Sequence, residues 1–279
     1  MAAAKSTATA LGLTVDDAVV LQNSNKLTLR LLPCDTLARV APSTDRVLRF
    51  EAELAGLLAE TGSPAAALDP RIPPRVYERD GFAITFWTYY TSVTPRVAPA
   101  DYAHSLRRLH TGMEKIAIAT PHFTDRVAEA ERLLANRHLT PELTEEDREF
   151  LGRLLKSLTR TIVDCGTAEQ LLHGEPHPGN VLSTEFGPLF IDLETCCRGP
   201  VEFDLAHVPD AVIKHYPDVD QALLSACRAL VLVMVAAWRW DAGDQFPNGR
   251  HWAEQLIRTL REGPPWPSLD AMTRRLAGS

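Results

Sequence analysis

Apolar-rich runs at residues 17–22, 26–32 and 36–41 read as short strands, and the polar Asn23, Ser24 and Asn25 between the first two favour a turn. Residues 45–62 carry apolar positions at helical spacing, with Thr44 or Asp45 suited to cap the start and Gly62 to end it. Residues 75–87 read as a hairpin turning at Asp80-Gly81, a dipeptide that accepts the positive φ such turns require. Up to about residue 90 the chain is therefore strand-rich, with one inserted helix.

Beyond that point the periodicity changes. Residues 101–112, 125–136 and 145–164 place apolar side chains three and four apart, as a helix with one buried face does. Thr144 followed by Asp147 predicts a capped start for the last of these. Residues 170–194 interrupt the helices with short strands, a Pro/Gly-rich loop and a turn at 185–188. Helical spacing returns at about 219–240 and 249–262. The pattern predicts an α+β fold in two parts, a small antiparallel-sheet lobe over residues 1–90 and a larger, mainly helical lobe over 91–279. Residues 86–93 are the expected hinge, and a ligand cleft is expected at such a junction.

Composition narrows the classes of function. The formal net charge of −7 lacks the basic footprint of a non-specific nucleic-acid binder. The acidic excess lies mostly after residue 90 and is compatible with a cationic ligand. Five cysteines, with no framework spacing, predict reduced thiols and a cytoplasmic location. The apolar run at 229–238 is only 10 residues long and reads as a buried helix, so no membrane partner is expected. The first ten residues hold one lysine and no leucine-rich stretch, and no secretory leader is expected.

The chemistry concentrates in His173-Gly174-Glu175-Pro176-His177-Pro178-Gly179-Asn180, followed by Ile191-Asp192-Leu193-Glu194. Phosphoryl transfer needs hard oxygen ligands for a nucleotide-bound divalent cation and a carboxylate to orient the acceptor hydroxyl. Protein kinases supply these from H-R-D-x-x-x-x-N and a later D-F-G. Glu175 and Asn180 repeat that carboxylate-to-Asn spacing, and Asp192 follows in an apolar run where an unpaired charge is costly.

HGEPHPGNVL with FIDLE resembles the H-G-D-x-H-x-x-N and I-D-x-[DE] motifs of the aminoglycoside phosphotransferase family. SLRRLHTG (105–112) and GPVEFDLA (199–206) are similar to two further family segments. The resemblance spans roughly residues 15–240 and implies a two-lobed, protein-kinase-like fold. It implies ATP or GTP and Mg2+ as cofactors and a small, hydroxylated, cationic acceptor such as an aminoglycoside or a basic peptide antibiotic. It places Glu175 as the catalytic base, with Asn180 and Asp192 as metal ligands. Glu194 adds a metal contact or meets a cationic substrate. His173 and His177 brace the loop, and Asp204 anchors local backbone. Arg39 takes the position of the phosphate-binding cation, oriented by Glu51, with Glu53 as the rival partner. Ser24 and Asn25 form a polar phosphate loop or an ordinary hairpin turn. Phe86, Trp87 and Tyr89 meet the nucleotide base or serve as core.

Two departures keep other readings open. The family has Asp where this chain has Glu175, and there is no G-x-G-x-x-G loop. Since a shift near 1 Å costs about 10²-fold where positioning carries the chemistry, Glu175 is either a working base in a reshaped loop or the mark of a nucleotide-binding pseudokinase. Pro176 restricts Glu175 and favours the reshaped loop, as do the intact metal positions. A zinc deaminase is disfavoured: His173-Gly174-Glu175 imitates H-x-E, but Cys196-Cys197 is no C-x-x-C.

Overall fold

The computed structural model of the protein describes residues 1–23, 26–93 and 97–277. The chain forms two compact units, Met1–Ile118 with Asn180–Thr195, and Ala119–Gly179 with Cys196–Ser279.

The first unit begins with a helix where no element is expected. The alanine-rich start forms α1 (Ala2–Ala10), whose Ala3, Ala4 and Ala8 are buried. Strands β1 (Val15–Asn23), β2 (Leu27–Pro33) and β3 (Thr36–Pro42) follow, then α2 (Val47–Glu60), β4 (Tyr77–Arg79) and β5 (Phe82–Thr88). They pair antiparallel throughout, in the order β1-β2-β3-β5-β4. Leu29, Leu31, Ala38, Val40, Ile84 and Phe86 form one core cluster with the α1 alanines, whose small side chains fit it. The period of two then sends Arg39, between Ala38 and Val40, to the opposite face. The turn falls at Asp80 and Gly81, both at positive φ (52° and 77°), as the Asp-Gly signal requires. Helix α2 starts where the Val47 N–H donates to Asp45 Oδ1 at 2.7 Å. Helix α3 (Pro99–Met113) opens on proline, whose missing N–H costs nothing in a first turn.

The chain continues into α4 (Phe123–Ala135), α5 (Glu145–Asp164) and β6 (Gln170–Leu172) of the second unit. Thr144 caps α5, its Oγ1 accepting from the Asp147 N–H at 3.1 Å. The chain returns to the first unit for the antiparallel pair β7 (Val181–Thr184) and β8 (Gly187–Phe190). It then completes the second unit with β9 (Cys197–Gly199), α6 (Val201–Leu205), α7 (Asp210–Ile213), α8 (Gln221–Arg239), α9 (Gly249–Glu262) and α10 (Leu269–Ala277). Helices α6, α7 and α10 are too short for periodicity to register. Helix α8 extends well beyond the 229–238 run and has the length and hydropathy of a membrane-spanning helix. It packs instead against α5 and α9, with 67% of its apolar stretch buried. None of the five cysteines forms a disulfide among the described residues.

Candidate active site

In the first unit four charged residues of the expected set meet, together with one that was not expected. Glu51 is fully buried on the apolar stripe of α2, between Leu48 and Ala55, whereas Glu53 is exposed. Its carboxylate accepts from Arg39 and, at 2.8 Å, from Lys26 Nζ. Arg39 also donates to Asp192 Oδ1 at 3.0 Å, and Lys26 to Glu194. Burial pushes the Glu51 carboxyl above its usual range despite the Arg39 and Lys26 charges. Burial disfavours the Arg39 cation too, but Glu51, Asp192 and Glu194 together hold its pKa above the ordinary value.

Strands β7 and β8 bring the acids of the IDLE segment to this cluster. The Ile191 N–H donates to the Asn180 carbonyl at 3.0 Å, extending the ladder that pairs Val181 with Phe190. Asp192 then sits at φ 65°, a left-handed conformation that Asp tolerates better than most residues, and a single 3-10 turn at Leu193–Thr195 carries Glu194. Glu51, Asp192 and Glu194 each offer a carboxylate oxygen within 4.8 Å of the others. That hard-oxygen set fits a divalent cation such as Mg2+. Lys26 and Arg39 supply the counter-charge otherwise.

Other expected contacts sit differently. Phe86 is 3% exposed in the core cluster beneath α1, which leaves its ring no open face for a nucleotide base. Trp87 is also buried, its Nε1–H donating to Thr85 Oγ1 at 2.9 Å. Apolar strand faces recruit both rings, and periodicity alone does not separate such rings from ligand contacts. Ser24 and Asn25 lie outside the described residues.

The second unit shapes the loop of Glu175. Strands β6 and β9 pair Leu172 with Cys197 and lead the chain into α6. From α6, fully buried Asp204 accepts from the His173 and Gly174 N–H groups at 2.9 and 2.8 Å. This is the backbone anchor expected of Asp204. Gly174 adopts φ 88°, and the His177 N–H donates to the Glu175 carbonyl at 2.8 Å, so the loop folds tightly about Pro176. The Gly179 N–H donates to His177 Nδ1 at 3.0 Å, and a Cβ at Gly179 would lie 2.8 Å from that ring. His177 thus braces the loop through a contact that a side chain at position 179 would crowd.

Arg126 of α4 holds the Glu175 carboxylate in an ion pair and donates to the Gly174 carbonyl at 3.2 Å. Its guanidinium lies 5.2 Å from the Trp238 ring centre. Burial alone would raise the Glu175 pKa, but Arg126, then His207 and His177, hold it below the usual carboxylate range. His207 is 2% exposed and burial pushes its pKa down to about 4, so it is neutral at pH 7. Neither of its ring nitrogens has a hydrogen-bond partner among the described residues. Glu175, His177 and His207 open on a cavity of about 420 Å³ within this unit.

Lys26, Arg126 and His207 escape motif reading. Lys26 directly follows Asn23-Ser24-Asn25 in the sequence and passes for the first residue of a strand. Arg126 has a legible signal, a charge on the apolar stripe of Phe123, Val127 and Ala130. His207 follows the D-L-A segment between apolar Ala206 and Val208, a local sign of burial that no motif assigns to a site.

The sequence model of the phosphotransferase enzyme family (APH) matches residues 30–243. No curated protein matches the chain. Among solved structures, an amicoumacin kinase in complex with AMP-PNP, Ca2+ and Ami superposes with a TM-score of 0.72, at 10% identity over 95% of each chain. The choline kinase LicA from Streptococcus pneumoniae gives 0.68 at 15% identity, over 92% of this chain and 97% of its own. An aminoglycoside 2'-phosphotransferase-IIIa in its GDP complex gives 0.67 at 14% identity, with the same two coverages. At these identities the likeness is one of fold: two-lobed and protein-kinase-like.

Proposed function

The chain belongs to the phosphotransferase enzyme family, and we propose that it is a small-molecule kinase transferring the γ-phosphoryl group of ATP or GTP to an acceptor hydroxyl. The observation that carries this reading is the ordered His173, Glu175, Asn180 and Asp192, with Glu51, Asp192 and Glu194 converging in the first unit. The structures of similar fold support it: one holds AMP-PNP with Ca2+ and another GDP.

In this reading Glu175 accepts a hydrogen bond from the acceptor hydroxyl and takes its proton as the phosphoryl group arrives. Arg126 keeps that carboxylate ionised and aimed, which offsets the extra methylene relative to Asp. Asp192 and Glu194, with the Asn180 of the family motif, would hold Mg2+, while Glu51 stays with its two cations. When bound, the ion neutralises charge on the β- and γ-phosphate oxygens. Arg39, kept in place by Glu51, supplies a guanidinium to the phosphates. The acceptor is a hydroxylated amine, the class to which aminoglycosides and basic peptide antibiotics belong, and five cysteines outside any disulfide suit a cytoplasmic enzyme.

The test incubates the protein with ATP or GTP, Mg2+ and a panel of hydroxylated amines, and looks for added phosphate by mass spectrometry. Turnover by wild type that Glu175→Ala reduces by about 10²–10⁴-fold supports the reading. Nucleotide binding without turnover on any acceptor sinks it and favours the pseudokinase.

A further inference from the structure

The acceptor's body must lie where Glu175 can reach its hydroxyl, so the cavity beside Glu175 carries information about the acceptor. Its volume of about 420 Å³ lies in the range that holds a small molecule.

Charge offers little discrimination in this cavity. Glu175 is paired with Arg126, Arg239 with Asp244, and Asp270 with Arg274 at 2.8 Å. An acceptor ammonium meets carboxylates that already have a cation partner, and gains less from them than from an unpaired acid. Apolar aromatic surface is what the cavity leaves open. Trp238 of α8, Phe246 and Trp252 of α9 line it. Phe246 stands edge-on to Trp252, ring centres 5.6 Å apart and planes at 84°, yet is 44% exposed. Arg239 covers one face of Phe246, at 4.3 Å, and Phe246 still meets water. A flat ring laid on this surface removes apolar area from water and gains offset or edge contacts.

His207 adds a polar requirement. It lines the same cavity, is 2% exposed, and has no hydrogen-bond partner at either ring nitrogen among the described residues. A neutral imidazole offers one donor and one acceptor, and leaving both unused in a buried place is costly. Both nitrogens are closed to solvent, so a hydroxyl or amine seated beside Glu175 bonds to one of them once the His207 ring turns toward the cavity.

We propose that this cavity selects a hydroxylated amine carrying a flat apolar ring, the ring against Phe246, Trp252 and Trp238 and a polar group on His207. The inference rests on the kinase reading for the identity of the cavity as the acceptor site, but it is tested by binding.

The probes are L-phenylalaninol and L-alaninol, amino alcohols that differ by one phenyl ring, titrated calorimetrically into the full chain. The ring should tighten binding by about 10-fold or more. Trp252→Ala should bring the ratio below about 3-fold. His207→Phe, which keeps an apolar ring in a buried place, should weaken both probes by about 5- to 10-fold and leave their ratio unchanged. Equal binding of the two probes, binding of neither at millimolar concentration, or an undiminished ratio in Trp252→Ala overturns the inference. Phosphoryl transfer is followed separately. Ring-selective binding without transfer upholds the inference and counts against the kinase reading. Transfer to L-alaninol as efficient as to L-phenylalaninol upholds the kinase and overturns ring selection.

Discussion

The two units each hold a carboxylate paired with arginine, and they hold it in opposite ways. In the first, Glu51 lies between two cations, and those cations also reach Asp192 and Glu194, so charge meets charge on every side. In the second, Glu175 has Arg126 on one side and, on the other, neutral His207 and an aromatic wall. The first arrangement suits a guest that brings both signs of charge, as a metal–nucleotide complex does. The second suits a guest that brings a hydroxyl and an apolar body. A polar cluster can exchange internal partners for external ones, whereas an exposed aromatic surface gains only by being covered.

The largest expected effect breaks the first arrangement. Asp192→Asn keeps the shape but removes a charged ligand, and kcat should fall by about 10²–10³-fold or more, with a melting temperature near that of wild type. Unchanged turnover would remove Asp192 from the metal site.

The next prediction concerns pH and the second arrangement. His207 has a folded pKa of about 4 against 6.5 unfolded. As pH falls from 6.5 to 4 the unfolded chain binds this proton and the folded chain does not, so stability falls over that window. The loss should be about 2 kcal/mol, read by urea unfolding at pH 7 and pH 4.5. His207→Phe should flatten the dependence there. The Glu175 pKa is depressed, so its contribution is present above the ordinary carboxylate range and fades at lower pH, as the folded group takes up its proton.

A sharper cut separates position from charge. Arg126→Met should lower kcat by about 10- to 10²-fold, since Glu175 loses the group that aims it. The acid limb of the kcat/KM profile should also move to higher pH as the depressing guanidinium disappears. A structural role alone would lower stability without moving that limb. The smallest effect is expected of Lys26→Met, because Arg39 still pairs with Glu51. It should cost about 1–2 kcal/mol in urea unfolding.

Much of the site was legible from local pattern. The spacing of Glu175 and Asn180, the apolar run around Asp192 and the Arg on β3 are all short-range features, and Arg39, Glu51, Asp192 and Glu194 do meet. The preference for Glu51 over Glu53 agrees with the face of α2 that is buried, and Glu51 is the residue that pairs with Arg39. Phe86 was not legible in this way: an aromatic on a strand reads alike whether it faces ligand or core.

Taken alone, the amino-acid order determined where strands and helices alternate, where the Asp80-Gly81 turn falls and which segment carries the phosphotransferase motifs. These depend on neighbours a few residues apart, whose backbone preferences and side-chain periodicity act locally. Only the tertiary structure decided that Lys26 bridges Glu51 and Glu194, that Arg126 clamps Glu175 and that His207 is buried beside a cavity. Lys26 and Glu194 stand 168 positions apart, and Arg126 and Glu175 stand 49 apart. Such partners are chosen by which faces the packed elements bury, a property of the whole fold that no single segment contains.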